Sequence, residues 1–196
     1  MPSQSSEISI YNMALDLLEE EAAVDPQDDR APVRWLNRNY APSRDALLRR
    51  HPWNFAIKRV SLPALEEAPA FGWRYQYQMP SDTLRILPLT DSGEFNGRPV
   101  PHVIEGLRIL TNASPGLRVR YVCRIENVAN YDPIFVELLA MNLAVKMAHW
   151  MTGKRTLMET LTMMARELNE DARLLDALEG TPEAVADNDW IDARWR

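Results

Sequence analysis

The hydrophobic period of this chain changes twice, and those changes limit its architecture more than any other feature. Up to His51-Pro52, apolar residues recur at helical spacing: Ile8, Tyr11, Leu15 and Leu18, then Val33, Leu36, Tyr40 and Leu47. From Trp53 the spacing falls to two. Trp53, Phe55 and Ile57 alternate with Asn54, Ala56 and Lys58, and Phe71, Trp73, Tyr75, Tyr77 and Met79 alternate with Gly72, Arg74, Gln76 and Gln78. Such alternation predicts strands with one buried and one wet face. Helical spacing returns at Tyr131 and runs on to Leu178.

Capping and turn chemistry supply the boundaries. Ser5 or Ser6 caps the first helix, which fades near Glu21-Ala22-Ala23. Asp29 is placed to cap the second, with Pro32 in its first turn and Pro42 as a kink or short break. Pro80-Ser81-Asp82 turns the chain into a strand from Thr83 to Leu87, and Asn96-Gly97 is a further turn. Glu105-Gly106 turns a hairpin between Val103 and Ile109, and the last strand runs from Leu117 to Ile125. Asp132-Pro133 opens the third helix and Gly153 stops it. Thr156 to Glu159 forms a capping box for the fourth, with a stripe of Leu157, Leu161, Met164, Leu168, Ala172, Leu175 and Leu178 that ends at Gly180.

These elements predict an α+β chain, mainly α: an antiparallel four-helix bundle with an antiparallel β insertion between helices 2 and 3 and an extended C-terminal arm. The bundle takes residues 1–52 and 131–180, the insertion 53–130, and the arm 181–196. A length of 196 residues with 46% hydrophobic and 26% charged side chains suits one domain carrying an insertion. The single cysteine excludes an internal disulfide and a cysteine-only zinc site. No apolar run reaches the roughly 18 residues of a membrane span, and the opening MPSQSSEIS lacks the pattern of a signal peptide. A soluble protein made in a reducing cytoplasm is expected, with no membrane partner.

Charge is strongly segregated. Residues 1–29 hold eight acidic side chains and no basic one, whereas residues 30–60 hold eight basic and one acidic. The stretch 61–130 balances at seven against seven, and the chain as a whole carries −6. A domain that binds nucleic acid by itself usually has an overall basic excess.

Catalytic constellations are missing from the sequence. Cys123 falls on an inward strand position, where a small core residue is expected. His51, His102 and His149 share no ligand spacing, and neither G-x-S-x-G nor H-E-x-x-H occurs. Thr152-Gly153-Lys154-Arg155 lacks the first glycine and the Ser or Thr of a phosphate loop. Neither an enzyme nor a metal or cofactor site is expected.

Two features point to binding. Arg118, Arg120 and Arg124 lie on the side of the last strand away from its apolar face, near the aromatic strand and Arg74. They form a solvated or cross-strand-paired face or, alternatively, a nucleic-acid surface on which bases stack. The second is the arm, Asp189, Trp190, Ile191, Asp192, Ala193, Arg194, Trp195 and Arg196. Its two Trp residues either fold back on their own domain or anchor a neighbouring subunit or partner ring, since aromatics concentrate binding energy at interfaces. Asp189, Trp190, Ile191, Arg194, Trp195 and Arg196 are therefore the candidate interface residues, and Arg118, Arg120 and Arg124 the candidate DNA-facing ones.

Ser9-Ile10-Tyr11-Asn12-Met13-Ala14-Leu15-Asp16-Leu17-Leu18 resembles the first helix of phage tail tubular protein A and related head-to-tail neck adaptors. The most specific likeness is Tyr40-Ala41-Pro42-Ser43-Arg44-Asp45-Ala46-Leu47-Leu48-Arg49-Arg50-His51-Pro52-Trp53-Asn54-Phe55-Ala56. In that family a Tyr, an Arg-Asp, a Leu, then Pro-Trp and Phe-Ala mark the end of the long helix and the start of the sheet. Phe71-Gly72-Trp73 through Tyr77 and Met79 to Arg85 continue it. After Leu18 similar sequences often turn at a Gly, where this chain has Glu19-Glu20-Glu21.

The resemblance implies a structural virion protein and no active site. Its subunits would form a closed ring, about twelve copies, at the head-tail junction. That ring would sit between the portal protein and the tail nozzle or other tail proteins and extend the channel. Genomic DNA would pass through it without sequence-specific binding. The protein would be made in the cytoplasm of a bacterial host.

Overall fold

A computed structural model describes residues 6–151 and 155–179. Four helices, α1 (Glu7–Asp16), α2 (Ala31–Arg50), α3 (Pro133–Met151) and α4 (Arg155–Leu178), accompany six strands. The strands are β1 (Ile57–Leu62), β2 (Tyr75–Gln78), β3 (Thr83–Ile86), β4 (His102–Glu105), β5 (Arg108–Thr111) and β6 (Leu117–Cys123). They pair, all antiparallel, into two sheets of three, in the orders β1-β6-β3 and β2-β5-β4. Residues up to Ala56 together with Arg124–Ala177 form one compact unit, and Ile57–Cys123 belong to another.

The expected four-helix bundle does not form; the arrangement is α+β, four helices with two three-stranded sheets. Two physical reasons stand out. First, α1 has ten residues against twenty in α2, too short to line a full bundle seam. Second, the stripe expected to bury α4 is only partly covered. Leu161 and Ala172 are buried, but Met164, Leu175 and Leu178 are 45%, 52% and 70% exposed. The helical core is instead built on α3, which packs against both α1 and α2. Phe135, Leu138, Leu139, Leu143, Ala144 and Met147 of α3 are buried, as are Ile10, Leu15, Leu36 and Leu48 on its neighbours. The expected arm, residues 181–196, lies outside the described residues.

Local chemistry explains where the elements begin and end. Ser6 caps α1 in a reciprocal box with Ser9, each side chain bonded to the other's backbone N–H. At the other end, the Glu20 N–H reaches the Leu15 carbonyl and the Glu19 N–H reaches Asp16, a Schellman closure. Glu19 occupies the left-handed position of that closure, φ +59°, which glycine adopts without strain. α2 starts after Arg30 with no side-chain cap, because Asp29 accepts from Arg34 instead. Pro42 sits inside α2 without ending it. α4 is already helical at Arg155, one residue ahead of the expected Thr156 cap, and the expected stops Gly153 and Gly180 lie outside the described residues.

The strands are shorter than alternation suggested. Trp53 is not in a strand: Asn54–Ala56 form a 3-10 turn and β1 begins at Ile57. Asp176 draws the chain into that turn, accepting from the Asn54 N–H at 2.9 Å. Of the Phe71–Met79 run only Tyr75–Gln78 pairs, Gly72 at φ +83° breaking it, and Phe71 is exposed. Gln76, expected to be wet, is buried because the Glu67 carbonyl and Arg108 satisfy its amide. The β4–β5 hairpin turns at Gly106, φ +57°.

Two stability measurements check this description. Trp53 is 1% exposed, so Trp53→Ala should cost about 3–5 kcal/mol in denaturant unfolding. A loss below about 1 kcal/mol would show that the indole is not core. Glu19→Gly should raise stability by about 0.5–1 kcal/mol, relieving the left-handed backbone at some cost in unfolded-state entropy.

Candidate functional site

The groups with chemical potential are mostly committed to structure. The Cys123 thiol is buried, and burial pushes its pKa up, away from a reactive thiolate. His51 ends α2, holds Asp176 at 2.8 Å through Nε2 and meets the Trp53 ring edge-on at 4.7 Å. His102 contacts its neighbour Val100 through Nδ1, and His149 is exposed on α3. Among the described residues no three His, Cys, Asp or Glu side chains gather as a metal cage. No helix among them is long and apolar enough to cross a membrane.

One pair escaped the sequence reasoning because 103 positions separate its members. Lys146 Nζ donates to Ser43 Oγ at 2.9 Å, and partial desolvation lowers the Lys146 pKa, with Arg50 adding to the shift, although the residue as a whole is exposed. A serine beside a depressed lysine is a nucleophile arrangement in principle. Here Ser43 lies in the middle of α2 at 3% exposure, closed to a substrate, and the pair reads as a helix–helix hydrogen bond.

The segment 40–56 is densely engaged within the helical unit. The Tyr40 ring meets Tyr11 edge-on at 5.6 Å, and its hydroxyl is buried, which drives its pKa upward. Burial also pushes Tyr11 up to about 12, with Glu7 contributing, and its hydroxyl donates to Asn37 at 2.9 Å. Asp45 bridges two arginines at 2.8 Å each: Arg44, buried on α2, and Arg124, where the chain returns from the sheets. The Trp53 indole N–H donates to the Leu47 carbonyl at 3.3 Å. Trp53, Phe55 and Tyr131 each meet Phe135 edge-to-face at 5.2–5.3 Å, and the tilted pairs Trp53–Phe55 and Phe55–Tyr131 lie at 6.3 and 6.1 Å. Tyr131 closes the group by donating to the Ile125 carbonyl at 3.0 Å.

The three arginines singled out from the last strand are not brought together. Arg124 lies beyond β6 and is ion-paired with Asp45. Arg118 is exposed and donates to the Ser92 carbonyl at 3.0 Å. The Arg120 guanidinium sits 5.7 Å over the Phe95 ring. Phe95 and Arg59, missed in the sequence, belong to the same surface; the β1–β6 register that places Arg59 opposite Arg120 has no local signature. Asp189, Trp190, Ile191, Arg194, Trp195 and Arg196 lie outside the described residues.

The Asp45 bridge is directly testable. Asp45→Asn should lower stability by about 1–3 kcal/mol, since it strands the buried Arg44 charge. Arg124→Gln, which removes a partner that is 38% exposed, should cost less than about 1 kcal/mol. Denaturation midpoints of the two variants check the order.

No protein-family model matches the chain, and no curated protein matches it in sequence.

Proposed function

We propose that this chain is a structural head-to-tail adaptor. Its copies form a closed ring between a phage portal and the tail nozzle or other tail proteins, and the ring extends the channel through which DNA passes. The observation that carries this reading is the segment 40–56. Its Tyr40, Arg44-Asp45, Leu47, Trp53 and Phe55 are the residue types that mark, in the adaptors it resembles, a long helix giving way to sheet. Here α2 ends at Arg50 and β1 starts at Ile57, and between them the Trp53 N–H bonds the Leu47 carbonyl while the Trp53 and Phe55 rings pack on Phe135. The left-handed Glu19 adds support, because the backbone turns where similar sequences have a Gly.

The role is mechanical. A ring of identical copies joined head to tail needs two different surfaces on each subunit. The Trp-bearing segment Asp189–Arg196 is a candidate for one contact with a neighbour or the portal. The partly uncovered apolar stripe of α4 offers another area for burial on assembly. A nucleic-acid module built on Arg118, Arg120 and Arg124 has less support, because Arg124 is spent on Asp45 and lies off the strand that carries the other two.

Mixing the purified protein with the portal ring of the same phage and imaging the product by electron microscopy tests the reading. A second ring stacked coaxially on the portal is expected. Deleting Asp189–Arg196 should leave the circular dichroism spectrum unchanged and reduce ring occupancy. A bare portal after mixing with the intact chain would contradict the adaptor role. Full occupancy by the truncated chain would remove the docking arm.

A further inference from the structure

One face of the β1-β6-β3 sheet concentrates arginine in a way that its own unit does not balance. Arg59 stands directly opposite Arg120 across the β1–β6 ladder, and Arg118 stands opposite Ser61 two positions along, so all three share a face. Like charges directly opposed weaken a strand pair. The Ser92–Phe95 loop lies over this face and meets each arginine differently. Glu94 pairs with Arg59 at 2.8 Å, the Ser92 carbonyl accepts from Arg118, and the Phe95 ring covers Arg120. Gly93 lets the loop come this close, since a Cβ there would fall 2.7 Å from the Arg118 Cβ.

Neutralisation remains incomplete. Among the described residues Glu94 is the one carboxylate ion-paired with any of the three, and that pair is itself more than half exposed. The buried Arg120 Nε has no hydrogen-bond partner. A cavity of about 440 Å³ opens between loop and strands, lined by Arg59, Arg118 and Arg120. The face accepts carboxylate already, and it has room for more.

The complementary surface exists on the same chain. Residues 16–29 carry seven carboxylates, of which only Glu21, Asp28 and Asp29 meet an arginine among the described residues. Asp16, Glu19 and Asp25 are exposed. Glu19 lies near the start of this acidic segment. It keeps a charged, exposed side chain at the left-handed position of the α1 Schellman closure, where Gly is the less strained choice.

We infer that the arginine face formed by Arg59, Arg118 and Arg120 is a docking surface for the acidic segment 16–29 of a second copy of this chain. The inference rests on the adaptor reading in one respect, that copies join head to tail, which calls for two unlike and complementary surfaces. An acidic protein surface fits better than nucleic acid. The unit that carries the arginines has eight basic against six acidic residues over 57–123, far from the excess of a phosphate-binding domain. Its built-in partner is also a carboxylate, Glu94.

Charge exchange tests this in solution, with no portal needed, by sedimentation velocity at about 50 mM and about 500 mM salt, between which charge screening rises steeply. The full-length wild type should associate at low salt and dissociate at high salt. A chain with Arg59→Glu and Arg118→Glu, and another with Glu19→Lys and Glu20→Lys, should each associate at least about tenfold more weakly, a loss of 1.4 kcal/mol or more. Their equimolar mixture, and one chain bearing all four changes, should regain association. Glu19→Gly should fold more stably yet associate more weakly, a combination that a merely structural role would not give.

A mixture that sediments like its separate components would overturn the inference. So would unimpaired self-association of the Arg59→Glu, Arg118→Glu chain alongside lost binding of a single-stranded oligonucleotide, which would make the face a nucleic-acid surface. If the exchange fails while wild-type rings still form on a portal, only this contact is wrong. If the exchange works and no portal ring forms, the adaptor reading falls and the contact stands.

Discussion

The helical unit depends on one set of contacts, the aromatic group of Trp53, Phe55, Tyr131 and Phe135 with the Asp45 bridge beside it. Trp53 and Phe55 lie where the chain leaves for the sheets, and Arg124 and Tyr131 lie where it returns. Without such ties a departure of 67 residues would leave both connections free to fray, at a cost in chain entropy. Edge-to-face rings add about 0.5–1.5 kcal/mol per pair beyond the area they bury. The Trp53 N–H and the Tyr131 hydroxyl both find backbone carbonyls, so the group hides no orphan donor there. The joint therefore holds departure and return together on α3.

Much of this was legible in the residues and some was not. The order helix, helix, strands, helix, helix follows from period alone, and the Ser6 cap, the Gly106 hairpin and the Asp132-Pro133 start follow from local chemistry. What failed were inferences that needed tertiary partners. Alternation placed Trp53 in a strand, but Asp176, 122 positions away from Asn54, fixes the following residues as a turn. Alternation also put Gln76 in water, though Arg108 and the Glu67 carbonyl make its burial tolerable. The stripe on α4 suggested a buried bundle helix because amphipathicity records that a face is apolar and not what covers it. The arginine pair Arg59–Arg120 depends on strand register, which no single strand reveals.

The candidate surfaces share one logic. Structural roles absorb the catalytic-looking groups, Cys123, His51 and Ser43 with Lys146. The features left over are surfaces: a half-covered apolar helix, an arginine-rich sheet face and an acidic segment that includes the left-handed Glu19. Unlike surfaces on one chain suit head-to-tail association, which closes into rings when the rotation allows. The proposed adaptor would need stable internal joints and adhesive exteriors, and the aromatic joint and the charged faces are suited to those two needs.

Native-state hydrogen exchange of the intact chain tests the central claim, that the joint on α3 holds the helical unit while α4 is peripheral. The Trp53 indole N–H and the amides of Leu138 to Leu143 should exchange last, only through global unfolding. The amides of Leu174, Leu175 and Leu178 should open before them, since those three side chains are more than half exposed, although Asp176 between them is held by His51 and Asn54. Protection of the α4 terminus equal to that of α3, with an early-exchanging Trp53 indole, would contradict the account and point to a four-helix core after all.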